Sequence, residues 1–369
     1  MAAATAQAQP RVMVLPFPAQ GHVIPLMELS RKLAEHGFEI DFVNTEFNHG
    51  RVLQTLEEDG AIPGGVHMLS IPDGLGPGYD HTDIGALVKG LPAAMSGRLE
   101  EMIRSRKTKW MIVDVSMSWA LELATTAGVP VALFSTYSAA VFTLRLKLPK
   151  LIEDDVLNES GSVKRNERVQ LMPPVDAAEI PSETIICNTS MEMEPDARAL
   201  LPNALPLGPL VAPTSRPARH FLPEDLTCLA WLDAQAPCSV VYVAFGSSGI
   251  WTRAVPRACR RARALWPTVP VGRPAKFHHR SHKSSPTKAM CATCGAPASK
   301  LCRDERGVIT KEEIESKVVR LLGDQGVKAR AATWKDKACA TIAEGGSSHQ
   351  CLLKLVNLLG EVGSHPITV

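Results

Sequence analysis

No run of eighteen apolar residues occurs in this chain of 369 residues, so a membrane-spanning helix is not expected. The opening MAAATAQAQP lacks the hydrophobic stretch of a secretory leader, which predicts a cytoplasmic protein. The nine cysteines are scattered, without the spacing of a small disulfide framework, and reduced thiols are the expected state. Acidic residues are missing altogether between Asp233 and Asp304. Eleven Lys or Arg fall between Gly249 and Lys300. Without them the chain would hold 29 basic against 38 acidic residues, a formal charge of −9 in place of +2. Segment 249–299 also carries six prolines, three histidines and three cysteines, with no sustained helical or strand period.

That segment invites four readings. Cys291 and Cys294 have CxxC spacing, with His278, His279, His282 and Cys302 nearby. Their order and spacing fit no zinc module, and no apolar framework surrounds them, so no metal is expected. The basic residues are interleaved only with Trp251, Trp266 and Phe277, which is thin for a nucleic-acid surface, and none is expected as partner. What remains is an insert without a core, or a segment translated out of frame or from a mis-spliced message. Comparing the three reading frames of the gene decides between these.

The rest of the chain is well patterned. Its length predicts two domains. Arg11–Thr45 reads as strand, tight loop, helix and strand. An apolar run Val12–Phe17 breaks at Pro18-Ala19-Gln20-Gly21. His22 stands at the mouth of a helix whose apolar positions include Ile24, Leu26, Leu29 and Leu33. Gly37 ends that helix, and Phe38–Val43 is extended. Strands follow at Val66–Ile71, Trp110–Asp114, Val129–Phe134 and Thr184–Asn188. Helices lie between them at Ile84–Arg104, Trp119–Thr126 and from Ser138 through Leu146. This alternation predicts an α/β protein with a parallel, doubly wound sheet, whose ligands bind beyond the carboxyl ends of the strands. His22 and Asp114 both belong to that edge. His49, His81 and His349 have no evident partner and read as surface histidines.

Domain 1–210 is followed by a Pro-, Arg- and Ser-rich linker, 211–225, and by 226–369. In the latter, SVVYVAF runs into Gly246 and Ser247, which can offer N–H and hydroxyl groups to a diphosphate. Beyond 249–299, helices are expected within 310–359, the first with Thr310 as N-cap.

PFPAQGHVIPLMELSRKLAEHG, WMIVD, ICNTSMEMEPDA, LPLGPL, CLAWLDAQAPCSVVYVAFGS and GGSSHQCLLKLV together resemble the plant UDP-dependent glycosyltransferases. The resemblance covers roughly 1–248 and 300–360. It implies a GT-B-like fold, two Rossmann-like domains facing across a cleft, with the second incomplete here and the tail helix crossing back to the first. It implies a hexose moved with inversion from a UDP-sugar, UDP-glucose first, to a hydroxyl of a small plant metabolite, by a monomer without cofactor or metal. His22 matches the general base and Asp114 its carboxylate partner. Gly21 and Thr136 match substrate-binding positions. The family's donor box, with a uracil-stacking Trp, HCGWNS and a final Asp-Gln, does not occur; 249–299 stands in its place. A stretch that helps to wall the acceptor pocket is shortened at Pro181-Ser182. The resemblance therefore predicts weak or no turnover. The competing expectation is a non-catalytic relative that binds an apolar acceptor or a protein partner.

Overall fold

In the computed structural model the described residues are 10–59, 64–76, 78–160, 162, 164, 182–198, 201–210, 231, 234–235, 304 and 310–361. The linker, Gly246, Ser247 and segment 249–299 lie outside them. The chain divides into two compact units, Met1–Leu222 with Ala338–Val369, and Pro223–Lys337. Among the described residues no helix is long and apolar enough to cross a membrane.

The first unit is built on seven parallel strands: β1 (Arg11–Leu15), β2 (Glu39–Thr45), β3 (Val66–Ile71), β4 (Trp110–Asp114), β5 (Val131–Ser135), β6 (Thr184–Cys187) and β7 (Ala204–Pro206). They lie in the order β3-β2-β1-β4-β5-β6-β7. The order reverses between β1 and β4, which makes that crevice the switch point where such sheets bind ligands.

Both faces of the sheet are covered, so the central strands are apolar on both sides. Along β1, Met13 and Leu15 face one core, with Leu87, Leu91, Met95 and Leu99 of α3 (Ile84–Ser105). Val12 and Val14 face the other, with Leu26, Leu29 and Leu33 of α1 (Gln20–Glu35). The four-residue steps in α3 and the near-fourfold steps in α1 put each apolar set on one stripe. Asp83 caps α3, accepting from the N–H groups of Gly85 at 2.9 Å and Ala86 at 3.1 Å. Gly37, at φ +89°, lets the chain leave α1 and enter β2 directly.

Two helices are longer than predicted from the sequence, which marks RVLQTLEEDG as a short amphipathic helix closed by Gly60 and ends the other at Leu146. α2 (Glu46–Asp59) takes in Glu46–His49, because Thr45 serves as its cap and accepts from the Asn48 N–H at 3.4 Å. α5 (Ala139–Glu153) continues past Leu146, and Pro149 sits near its end, where the missing N–H costs a single bond. Between β4 and β5 lie a single 3-10 turn (Val115–Met117) and α4 (Ala120–Thr126); α6 (Pro195–Arg198) is one turn.

Asp41 of β2 is fully buried and is held by two guanidinium groups, Arg11 at 2.9 Å and Arg106 at 2.5 Å. The bond to Asp41 raises the Arg106 pKa above its ordinary value, against the effect of burial. The pair closes the amino-terminal half of the sheet with a compensated charge.

In the second unit, α7 (Lys311–Gly323) begins at Thr310, whose hydroxyl accepts from the Glu313 N–H at 3.2 Å. α8 (Gln325–Ile342) follows, its residues from Ala338 onward being assigned to the first unit. α9 (Ser347–Gly360) is counted with the first unit, not with the sequence-adjacent second one. Its apolar stripe, Cys351, Leu352, Leu355 and Leu359, completes the core on the α1 side, and Ser348 donates to the Gly208 carbonyl at 2.5 Å. Leu355 is wholly buried, so Leu355→Ala should cost about 2–5 kcal/mol in urea unfolding, and Leu355→Met less than ~1.5 kcal/mol. Equal midpoints for wild type and Leu355→Ala would show that the tail helix is not part of the folded core.

Candidate active site

Parallel pairing sets Leu15 of β1 opposite Val113 of β4. The next residue of β4 is Asp114, and the loop after β1 leads to His22 in the first turn of α1. Residues 92 apart in sequence therefore meet: His22 Nδ1 lies 2.8 Å from Asp114 Oδ2. Asp114 is fully buried, while the His22 side chain keeps 15% of its surface exposed. The other carboxylate oxygen, Oδ1, accepts from the Ser116 N–H at 2.8 Å. Both oxygens are thus engaged, and the carboxylate cannot rotate without losing a bond.

The geometry fixes the tautomer of a neutral ring. A carboxylate only accepts, so the proton sits on Nδ1 and the Nε2 lone pair is left free. The ring plane is held by Phe17, edge-on at 5.3 Å, and Tyr137, edge-on at 5.9 Å. The Arg145 guanidinium lies 4.8 Å over the Tyr137 ring and braces it. Thr136, just past β5, puts Oγ1 3.4 Å from His22 Nδ1, at the outer limit of a hydrogen bond.

Of the residues singled out from sequence, His22, Asp114 and Thr136 stand together. Gly21 precedes His22 in α1, exposed, and a Cβ there would meet nothing within 4 Å. No steric need for glycine exists at that position. Phe17, Tyr137 and Arg145 were not anticipated. Phe17 lies inside PFPAQGH and Tyr137 follows Thr136, but ring-to-ring packing leaves no spacing signal in a sequence. Among the described residues no group of His, Cys, Asp and Glu is placed to hold a metal.

Of the three histidines read as surface residues without a partner, His81 needs correction. His81 is paired with buried Asp73, Nδ1 to Oδ2 at 2.6 Å, and stacks on Phe47. His349 accepts from the Gly345 N–H at 3.0 Å. His49 has its Nδ1 buried, with no protein partner among the described residues. Only the stacking of His81 on Phe47 spans tens of residues; Asp73 lies eight residues from His81 and Gly345 four from His349.

A doubly wound sheet with an oriented imidazole at its switch point defines a Rossmann-like binding unit equipped for general-base chemistry. No family model matches the chain. It is 33% identical over 288 residues to UDP-glycosyltransferase 83A1 of Arabidopsis thaliana, covering 66% of this chain and 62% of that protein. It is 31% identical over 298 residues to 7-deoxyloganetin glucosyltransferase of Gardenia jasminoides, covering 64% and 61%. The chain thus spans about six-tenths of the length of these curated relatives. In fold it is similar to Medicago truncatula UGT71G1, solved in complex with UDP-glucose, with a TM-score of 0.71 at 16% identity over 95% of this chain and 98% of that one. The fold is GT-B. Over about two thirds of its length the chain is a relative of the plant UDP-glycosyltransferases.

Two outcomes follow from the edge of this sheet. Asp114→Asn replaces a pure acceptor by a group that can donate to Nδ1, so the His22 proton should move to Nε2. Nitrogen-15 NMR of the two proteins reads this directly; an unchanged Nδ1–H signal would contradict the assignment. Cys187, at the end of β6, is pushed up to about 12, first by burial and then by the nearby Glu194 charge. The unfolded chain ionises this thiol near its ordinary 9.0, before the folded one does. Its contribution to stability is therefore complete below about pH 9 and declines as pH rises toward 12. Iodoacetamide at pH 8.5 should label Cys187 only after urea unfolding, as peptide mapping would show.

Proposed function

We propose that the first unit holds a small hydroxylated plant metabolite and activates its hydroxyl for attack on a UDP-hexose. The observation that carries this reading is the 2.8 Å bond from His22 to Asp114, which leaves Nε2 as a free base at the switch point. As the acceptor oxygen bonds to the anomeric carbon, its proton passes to Nε2. The bond from that carbon to the UDP oxygen breaks, and UDP leaves with the electron pair. Attack opposite the leaving group inverts the sugar carbon. Asp114 stabilises the imidazolium that forms, and Phe17 and Tyr137 keep the ring from swinging away. Thr136 stands beside the ring, where a hydroxyl can contact the transferred sugar. UDP-glucose is the donor to test first, since the Medicago truncatula protein of the same fold was solved with it.

Donor recognition is the weak half. HCGWNS is absent from the sequence, and segment 249–299 occupies its interval. Gly246 and Ser247 are the residues we assign to the diphosphate, on their position after the apolar run SVVYVAF. Two groups do not replace a box that reads uracil, phosphates and sugar hydroxyls. We therefore expect acceptor binding with weak or no turnover. The missing box also favours a second reading, a non-catalytic relative that retains only the acceptor site.

Calorimetric titration of UDP and UDP-glucose into the full chain tests the donor half. We expect no saturable binding in the micromolar range; its appearance would overturn the inactive reading. Any transfer that is measured should fall by about 100-fold or more in His22→Ala. A retained rate would remove His22 from the mechanism.

A further inference from the structure

A second imidazole–carboxylate pair stands on the same edge of the sheet, and the chemistry above does not use it. Residues 72–83 connect β3 to α3. Within them Asp73 is 5% exposed, and its Oδ2 accepts from His81 Nδ1 at 2.6 Å. Its Oδ1 accepts from the Leu75 N–H at 2.9 Å, so this carboxylate, too, is held at both oxygens. The His81 ring stacks on Phe47 of α2, 4.7 Å between centroids and 14° between planes. Gly74, at φ +77°, sits against α3 so closely that a Cβ would come within 2.6 Å of the Ala94 methyl. The loop is thus pressed onto α3, and the imidazole is fixed by a carboxylate and an aromatic face.

An oriented ring with Nδ1 engaged presents Nε2 as an acceptor. His81 keeps 22% of its side chain exposed, so a ligand can reach it. The loops after β1 and β3 are separated by β2 alone, two strand spacings or roughly 10 Å. The intervening strand and the start of α2 carry Asn44 and Asn48, 1% and 3% exposed, whose amide nitrogens meet no protein partner among the described residues. Buried amides without a partner are costly, and water or a ligand's polar atoms satisfy them.

We infer that His81, oriented by Asp73, is a specificity-determining residue: its Nε2 accepts a hydrogen bond from a second hydroxyl of the acceptor, remote from the one that His22 activates. The acceptor class this selects is a rigid compound of two or more rings with hydroxyls at both ends. The inference rests on the reading that the acceptor lies along this edge.

The test needs no sugar donor. Calorimetry on the full chain compares 4,4′-dihydroxybiphenyl with 4-hydroxybiphenyl. Wild type should bind the diol roughly tenfold tighter, the scale of one good hydrogen bond. His81→Phe keeps the stacking on Phe47 and should bind both compounds equally, with the mono-ol affinity unchanged. His81→Gln, which can still accept, should recover part of the preference. In wild type, the diol but not the mono-ol should shift the His81 Nε2 resonance. Equal affinities in wild type, an unmoved resonance, or an undiminished preference in His81→Phe would overturn the role of His81 and leave the acceptor site standing. Failure of both compounds to bind wild type would overturn the acceptor reading of this edge as well.

Discussion

The pairing of β1 with β4 is the constraint on which the rest of the first unit depends. It joins strands nearly a hundred residues apart, with Val12 beside Trp110 and Leu15 beside Val113. Because the pairing is parallel, both strands end on the same edge, and whatever follows each one meets there. A register slip of one residue would turn Met13 and Leu15 from one core to the other and carry Asp114 out of reach of His22. The core and the site are therefore specified by the same contacts. The apolar residues that resist a slip, Val12 to Leu15 and Trp110 to Val113, are the ones that hold the site together.

Polar groups buried in this unit divide by position. At the amino-terminal half of the sheet Asp41 is compensated by two arginines, and in α1 the buried Glu28 carboxylate is paired with Arg31 at 2.5 Å. Each of these charges meets an opposite charge, so none is left to do chemistry. At the carboxyl edge the pattern changes. Asp114 and Asp73 are matched to imidazoles and backbone N–H groups, with no guanidinium or ammonium beside them in the bonds described. Buried carboxylates thus meet guanidinium groups at one end of the sheet and imidazoles at the other. That asymmetry supports the proposed site independently of any family likeness.

Much of the fold is legible in the sequence because it rests on local periodicity. The βαβ start, the run WMIVD and the fourfold steps of α3 each announce an element, and their alternation announces the parallel sheet. His22 and Asp114 are legible for the same reason, since each sits at an element end whose position is set locally. Thr136 is readable only through the resemblance. The supports of His22 are not readable, because Phe17, Tyr137 and Arg145 reach the ring through tertiary packing. His81 is the clearest case. Nothing in PDGLGPGYDH requires that the histidine fold back eight residues onto Asp73, and it takes Phe47 from α2 and Ala94 from α3 to hold it there. α9 shows a related limit. Its amphipathic stripe is plain in GGSSHQCLLKLV, but which of two cores it completes is a matter of chain topology.

Every contact described for His22 is made inside the first unit. Its carboxylate comes from β4, its aromatic walls from the loops after β1 and β5, and its brace from α5. None of these residues belongs to Pro223–Lys337. The geometry of the base is accordingly independent of what segment 249–299 does. A chain could lose the residues that read a sugar nucleotide and keep an intact, correctly oriented imidazole, with no loss of packing to signal the change. The oriented imidazole thus supports the acceptor activation proposed above and carries no information about donor binding. For the same reason, the two halves of the proposed reaction have to be measured separately, acceptor affinity and nucleotide affinity.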